Sequence, residues 1–131
     1  MLCGADGVHL GPDDLSVAGA RRAAGPALLV GASAASPAAA LRAQREGADY
    51  LGSGPAYATP IKTEKAVIGP LGVAAVAAAV HLPVFALGGI DRQRIPELRA
   101  AGIRRICAIR SLGVAADPEA EARAFREALS A

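Results

Sequence analysis

The stretch Gly47-Ala48-Asp49-Tyr50-Leu51-Gly52-Ser53-Gly54 decides how the whole chain is read. Gly47 suits the positive-φ position that stops a helix. Tyr50–Ser53 follows as a short strand of apolar and small residues. Gly54 then opens a polar loop carrying Pro55, Tyr57, Thr59, Pro60, Lys62 and Lys65, which runs to Gly69. The same Gly-Ala-Asp triplet stands at Gly4–Asp6, ahead of an apolar strand at Val8–Leu10. Gly102-Ile103 echoes it ahead of a strand at Arg105–Ile109. Each copy ends one helix and enters one strand, a weak internal repeat.

Outward from that stretch the pattern alternates. Upstream come a helix at Ser16–Ala24, a strand at Leu28–Ala32 and a helix at Pro37–Glu46. Ser36 is a candidate N-cap for the last of these, and Pro37 takes its first position. Downstream come a helix at Leu71–Val80, a strand at Val84–Leu87, a helix at Arg92–Ala101 and a closing helix at Pro118–Leu129. Five β–α units recur at about 20 to 35 residues, the scale of a parallel crossover. The fold class is therefore α/β, with a parallel sheet covered by helices. Two topologies stay open: an open, flavodoxin-like sheet, or the C-terminal five-eighths of a TIM-type (β/α)8 barrel, which as a whole needs about 200 to 250 residues. Met1-Leu2-Cys3 leaves almost no helix ahead of Gly4-Ala5-Asp6-Gly7, so the chain reads as beginning within a unit. That favours the barrel, as one partial domain over residues 1–131.

Composition narrows the function. The 131 residues are 53% hydrophobic and 20% charged, which suits a globular domain. Aromatic residues are 3%, with no Trp, too few for a base-stacking platform. A net charge of +2 is too small to grip nucleic acid or an anionic membrane. Ala66–Ile90 carries no formal charge, but Pro70, Pro83, His81 and several glycines break it into a helix and a buried strand, not a membrane span. The N-terminus has no signal-peptide pattern. Cys3 and Cys107 fit no metal spacing and read as reduced thiols, hence a cytoplasmic protein.

In parallel α/β folds the chemistry collects at the C-terminal ends of the strands. After the first strand stand Asp13 and Asp14, which can hold a hard cation or cap the next helix. His9, inside that strand, reads as packed or facing the barrel rather than as a ligand. After the second strand Ser33 can donate to a ligand or close a turn. After the third, hydroxyls and lysines at Tyr57, Thr59 and Lys62 suit a phosphate clamp or a solvated loop. After the fourth, Gly88-Gly89 lets backbone amides approach a phosphate. After the fifth, Arg110 can fork onto phosphate or pair at the surface. Neither a nucleophilic triad nor a Walker A loop nor a Gly-x-Gly-x-x-Gly is present. What converges is a cation with phosphate.

These residues resemble the thiamine phosphate synthase family. The resemblance rests on Gly4–Asp14, Gly47–Lys62, Pro83–Ile90, Ile106–Leu112 and Asp117–Leu129, in order along essentially the whole chain. It implies a (β/α) barrel transferase of thiamine biosynthesis. Such an enzyme couples hydroxymethylpyrimidine diphosphate to thiazole phosphate with Mg2+, giving thiamine phosphate and pyrophosphate. By the same resemblance Asp14 is a Mg2+ ligand and Ser33 lies against the pyrimidine. Thr59 and Lys62 contact diphosphate or thiazole phosphate, with Lys62 stabilising the leaving charge. Gly88, Gly89, Ile109 and Arg110 shape the phosphate pocket. Two positions depart from the family pattern: Arg110 stands where many members have Ser, and Ala35 stands where the related thiazole tautomerase carries His, which counts against tautomerase activity. The first three strands of such a barrel, with a basic cluster and a second Mg2+ ligand, have no counterpart here. The expectation is that a separate N-terminal half, an upstream fusion or a homo-oligomer supplies them. The alternative is a non-catalytic module that binds thiazole phosphate or thiamine phosphate.

Overall fold

The computed structural model describes residues 4–58 and 66–130. Five strands, β1 (Gly7–Leu10), β2 (Leu29–Ser33), β3 (Tyr50–Ser53), β4 (Val84–Leu87) and β5 (Ile106–Cys107), form one sheet. All four pairings are parallel, and the strands lie in the order in which the chain makes them. That order settles the topology. A flavodoxin-like sheet reverses direction after its first crossover and carries helices on both faces. A monotonic order of right-handed crossovers sends every helix to the same face, which is the arc of a (β/α) barrel.

Six helices accompany the strands: α1 (Val17–Ala24), α2 (Pro37–Arg45), α3 (Gly69–Ala79), α4 (Ile95–Ala100), α5 (Arg110–Gly113) and α6 (Pro118–Ser130). The first two begin where the sequence signals place them. Ser16 Oγ accepts the Gly19 N–H at 3.1 Å, and Ser36 Oγ accepts that of Ala39 at 3.3 Å, with Pro37 in the first turn. Each hydroxyl satisfies an amide that has no partner within the helix. Between β4 and α4 the expected continuous helix is divided. Arg92–Arg94 is a 3-10 turn capped by Asp91, and the α-helix starts only at Ile95 with Pro96 in its first turn. Proline lacks the N–H that would bond back into the preceding turn. The strand expected over 105–109 shortens to Ile106–Cys107, because β5 pairs only with β4 and the chain turns into α5 at Arg110. Among the described residues no helix is long and apolar enough to cross a membrane.

Register explains which face is covered. Leu10, Ala32, Leu51 and Val84 lie side by side across four strands. They pack with Val17 and Ala20 of α1, Ala40 and Ala43 of α2, and Val76 of α3. A second cluster joins Ala86 to Val73, Ile95, Leu98 and Phe125 of α6. Many of these helix positions are alanine, which brings the helices close to the sheet without a large side chain between. The alternate residues form the other, concave face: His9, Gly31 and Tyr50 in one row, Ser33, Gly52 and Phe85 in the next. Gly31 leaves room for the Tyr50 ring, because a Cβ there would lie 2.1 Å from it and the ring would have to move.

The Gly-Ala-Asp repeat has a structural role in its second copy. Asp49 Oδ2 accepts the Val30 N–H at 2.7 Å and pairs with the guanidinium of Arg21, which also donates to the carbonyls of Leu28 and Gly47. The Val30 amide and the Arg21 charge hold this carboxyl below the usual aspartate range, against the opposing pull of partial burial. Asp49 thus stitches α1 to the entries of β2 and β3.

Candidate active site

The C-terminal ends of the strands bring several of the expected residues to one rim. Ser33, at the end of β2, faces the concave side. Its Oγ lies 3.0 Å from His9 Nε2, and His9 Nδ1 lies 3.2 Å from the Tyr50 hydroxyl. The His9 and Tyr50 rings sit 5.5 Å apart, and Tyr50 meets Phe85 edge-on at 5.9 Å. A ledge of three rings therefore runs along the concave face beside the Ser33 hydroxyl. His9 faces the barrel interior, as expected. Tyr50 and Phe85 lie within the stretches that carry the resemblance but were given no role there, and the strand register reveals their place beside Ser33.

Asp14 closes the turn after β1. Its Oδ2 accepts the Gly11 N–H at 2.7 Å, while Ser16, not Asp14, caps α1. Among the described residues no group of three or more His, Cys, Asp or Glu could hold a metal alone. The arrangement fits a single place in a magnesium shell. Mg2+ takes one or two carboxylates and fills the rest with waters and phosphate oxygens. Asp14 offers an exposed carboxylate, oriented through one oxygen, at a strand end.

The segment after β4 is built to present amides. Gly88 and Gly89 have φ of 94° and 63°. Their carbonyls, with those of both neighbours, are all taken by protein donors. Leu87 O accepts from Ala56 N–H at 2.8 Å, and Gly88 O from Tyr57 N–H at 3.1 Å. Gly89 O accepts from Arg94 Nη1, and Ile90 O from Ser111 Oγ at 2.9 Å. Among the described residues the Gly89 and Ile90 amides meet no protein acceptor. Fixed carbonyls with amides left over make a strip of a kind that can receive an anion. Ser111, given no role by the sequence, ties α5 to this strip. Arg110 opens α5, and among the described residues its side chain makes no ion pair, leaving it available beside the strip. Ile109 is exposed next to it. Thr59 and Lys62 lie outside the described residues, so only the start of their loop, Gly54–Ala58, is placed here.

A parallel sheet in chain order, with an amide strip after β4 and a hydroxyl beside three rings, defines a (β/α) barrel-type protein. Comparison with known proteins gives the family. The thiamine monophosphate synthase family profile matches residues 1–112. The thiamine-phosphate synthase of Gloeobacter violaceus is 45% identical over 130 residues, covering 99% of this chain and 38% of that protein. The thiamine-phosphate synthase of Salinispora arenicola is 45% identical over 131 residues, covering 99% of this chain and 63% of that protein. Thiamine phosphate pyrophosphorylase from Pyrococcus furiosus superposes with a TM-score of 0.85 at 36% identity, covering 96% of this chain and 60% of that one. The chain belongs to the thiamine monophosphate synthase family. It spans between 38% and 63% of the length of these two curated relatives.

Proposed function

We propose that the protein is a thiamine phosphate synthase. It couples hydroxymethylpyrimidine diphosphate with thiazole phosphate, giving thiamine phosphate and pyrophosphate in thiamine biosynthesis. The observation that carries this reading is the strip at Leu87–Ile90, with four carbonyls engaged and the Gly89 and Ile90 amides left for an anion. Gly88 and Gly89 receive the phosphate through backbone contacts, and Ile109 and Arg110 border it. Ser33 lies against the pyrimidine, and the His9–Tyr50–Phe85 ledge gives that ring an apolar surface.

The reaction needs no protein nucleophile. The C–O bond between the pyrimidine methylene and the diphosphate breaks, and the electron pair leaves with pyrophosphate. The thiazole nitrogen then gives its lone pair to the methylene carbon, forming the C–N bond. Lys62 stabilises the charge that develops on the leaving group, and Thr59 binds beside it. Asp14 holds Mg2+, which when bound supplies further charge neutralisation to the diphosphate. The concave face and the edges of β1 and β5, unpaired among the described residues, call for further (β/α) units to close the barrel. We infer that these come from the same polypeptide, a separate N-terminal half or a second copy of the chain. A cytoplasmic location agrees with Cys107, a free and exposed thiol.

The test is product formation. The purified protein is incubated with both substrates and Mg2+, and thiamine phosphate is read by fluorescence after oxidation. Turnover that falls at least about a hundredfold in Lys62→Ala supports the reading. Phosphate-ligand binding without turnover, in protein of verified fold and complete barrel, would replace it with a binding module.

A further inference from the structure

Arg94 stands outside every motif that points to the reaction, yet it makes three contacts at the phosphate end of the site. Its Nη1 donates to the Gly89 carbonyl. Its guanidinium lies over the Tyr57 ring, 4.5 Å from the centroid. Its Nε is 3.5 Å from Asp91 Oδ2. The Tyr57 hydroxyl in turn donates to Glu97 Oε2 at 2.8 Å, so the far side of the ring is held by α4. Burial, with the Glu97 carboxylate next, pushes the Tyr57 phenol up to about 12. The two loops also fit at close range. A Cβ at Gly88 would lie 2.6 Å from Pro55 Cβ, and one at Gly89 would lie 2.6 Å from the Ala58 carbonyl oxygen.

We propose that Arg94 is a positioning residue for phosphate recognition, locking the loop after β3 onto the loop after β4 so that the Gly89 and Ile90 amides stay available to an anion. The planar guanidinium is suited to this task. Different edges serve the carbonyl and the carboxylate while the face covers the ring, and the shorter-reaching ammonium of lysine cannot do all three. Without it the Gly89 peptide loses the donor on its oxygen and can rotate, and Tyr57 loses its cover. The lost contacts lie in the loops and not on the ligand, so the effect is on how well the amides are presented.

This inference rests on the phosphate reading of the site, and the experiment separates the two. Wild type, Arg94→Met and Arg94→Lys are compared in the complete protein by amide hydrogen exchange of segments 54–58 and 86–91. The same proteins are titrated with inorganic pyrophosphate and measured for KM and kcat with thiazole phosphate. The expected result is exchange about tenfold faster in both segments of Arg94→Met. With it, KM rises about tenfold against a smaller change in kcat, and Arg94→Lys falls between. Unchanged exchange in Arg94→Met overturns the proposal. So does weakened pyrophosphate binding with unchanged exchange, which would make Arg94 a direct ligand. If Arg94→Met does not fold, Arg94→Lys carries the same comparison, and wild-type exchange in it overturns the proposal. Wild type that binds no pyrophosphate refutes the phosphate reading, while the exchange result still decides whether Arg94 locks the loops.

Discussion

Replacing Gly89 by alanine would place a methyl group at a backbone φ of 63°, 2.6 Å from the Ala58 carbonyl oxygen and 2.9 Å from Tyr57 Cβ. Two penalties combine there. Left-handed backbone costs an L-residue with a Cβ about 1–2 kcal/mol relative to glycine. Overpacking against neighbouring backbone adds about 1–3 kcal/mol, because Ala58 O belongs to a loop pinned through Ala56 and Tyr57 to the carbonyls of Leu87 and Gly88. The total is about 2–5 kcal/mol. Gly102 supplies the control. Its φ is 84°, but a Cβ there would meet nothing within 4 Å, so Gly102→Ala keeps the backbone penalty alone, about 1–2 kcal/mol. Urea denaturation of both variants gives the difference directly, provided the m-values match wild type. Gly89→Ala should be the less stable by about 1–3 kcal/mol, and it should also bind pyrophosphate more weakly than Gly102→Ala. Equal midpoints would refute the seating of the 54–58 loop on Gly89, and with it the account of how the strip is held.

Three further outcomes follow from the same geometry. Asp49→Asn should lower stability at pH 7 by about 1 kcal/mol, a modest figure because the Arg21 pair is partly solvated. The Asp49 carboxyl is held below its ordinary 3.8, so its contribution is present above that value and lost as pH falls through the depressed one. Urea midpoints of wild type and variant should therefore converge in acid; a constant gap down to pH 2 would refute the role given to Asp49. Tyr57 titrates from 10.0 in the unfolded chain to about 12 in the fold, so stability should fall as pH rises between those values. Tyr57→Phe should remove that component of the alkaline loss, and an unaltered profile would count against the Tyr57–Glu97 bond. Ser53 is fully buried, and among the described residues its Oγ has no hydrogen-bond partner. Ser53→Ala should raise stability by up to about 1 kcal/mol, and a lowered urea midpoint would show that the hydroxyl is satisfied.

Much of this architecture was legible in the chain because it rests on contacts between near neighbours. Ser16 and Ser36 announce their helices because a cap hydroxyl bonds an amide three residues on. Gly47 and Gly102, at φ of 94° and 84°, announce helix ends because a side chain there is strained. Tyr50–Ser53 and Val84–Leu87 appear as strands within the stretches that suggested them. The Gly88-Gly89 pair and Ser33 stood out because function in parallel sheets gathers at strand ends, and Asp14 because a carboxylate there can hold a cation.

Other features required the tertiary structure, because they depend on which distant segments meet. Crossovers of the same length build a flavodoxin-like sheet or a barrel arc, so strand order came only from the pairing. The shortening of β5 followed from a ladder with one neighbour. Asp49 reads as a repeated turn residue and proves to be the acceptor that joins α1 to two strands. Register set Tyr50 and Phe85 beside His9 and Ser33, since a shift by one residue sends every side chain to the opposite face. Arg94 has no local signature at all. Sequence determined where helices and strands begin because capping and periodicity act over a few residues, whereas only the folded chain decided that Arg94 and Tyr57 would share one loop contact.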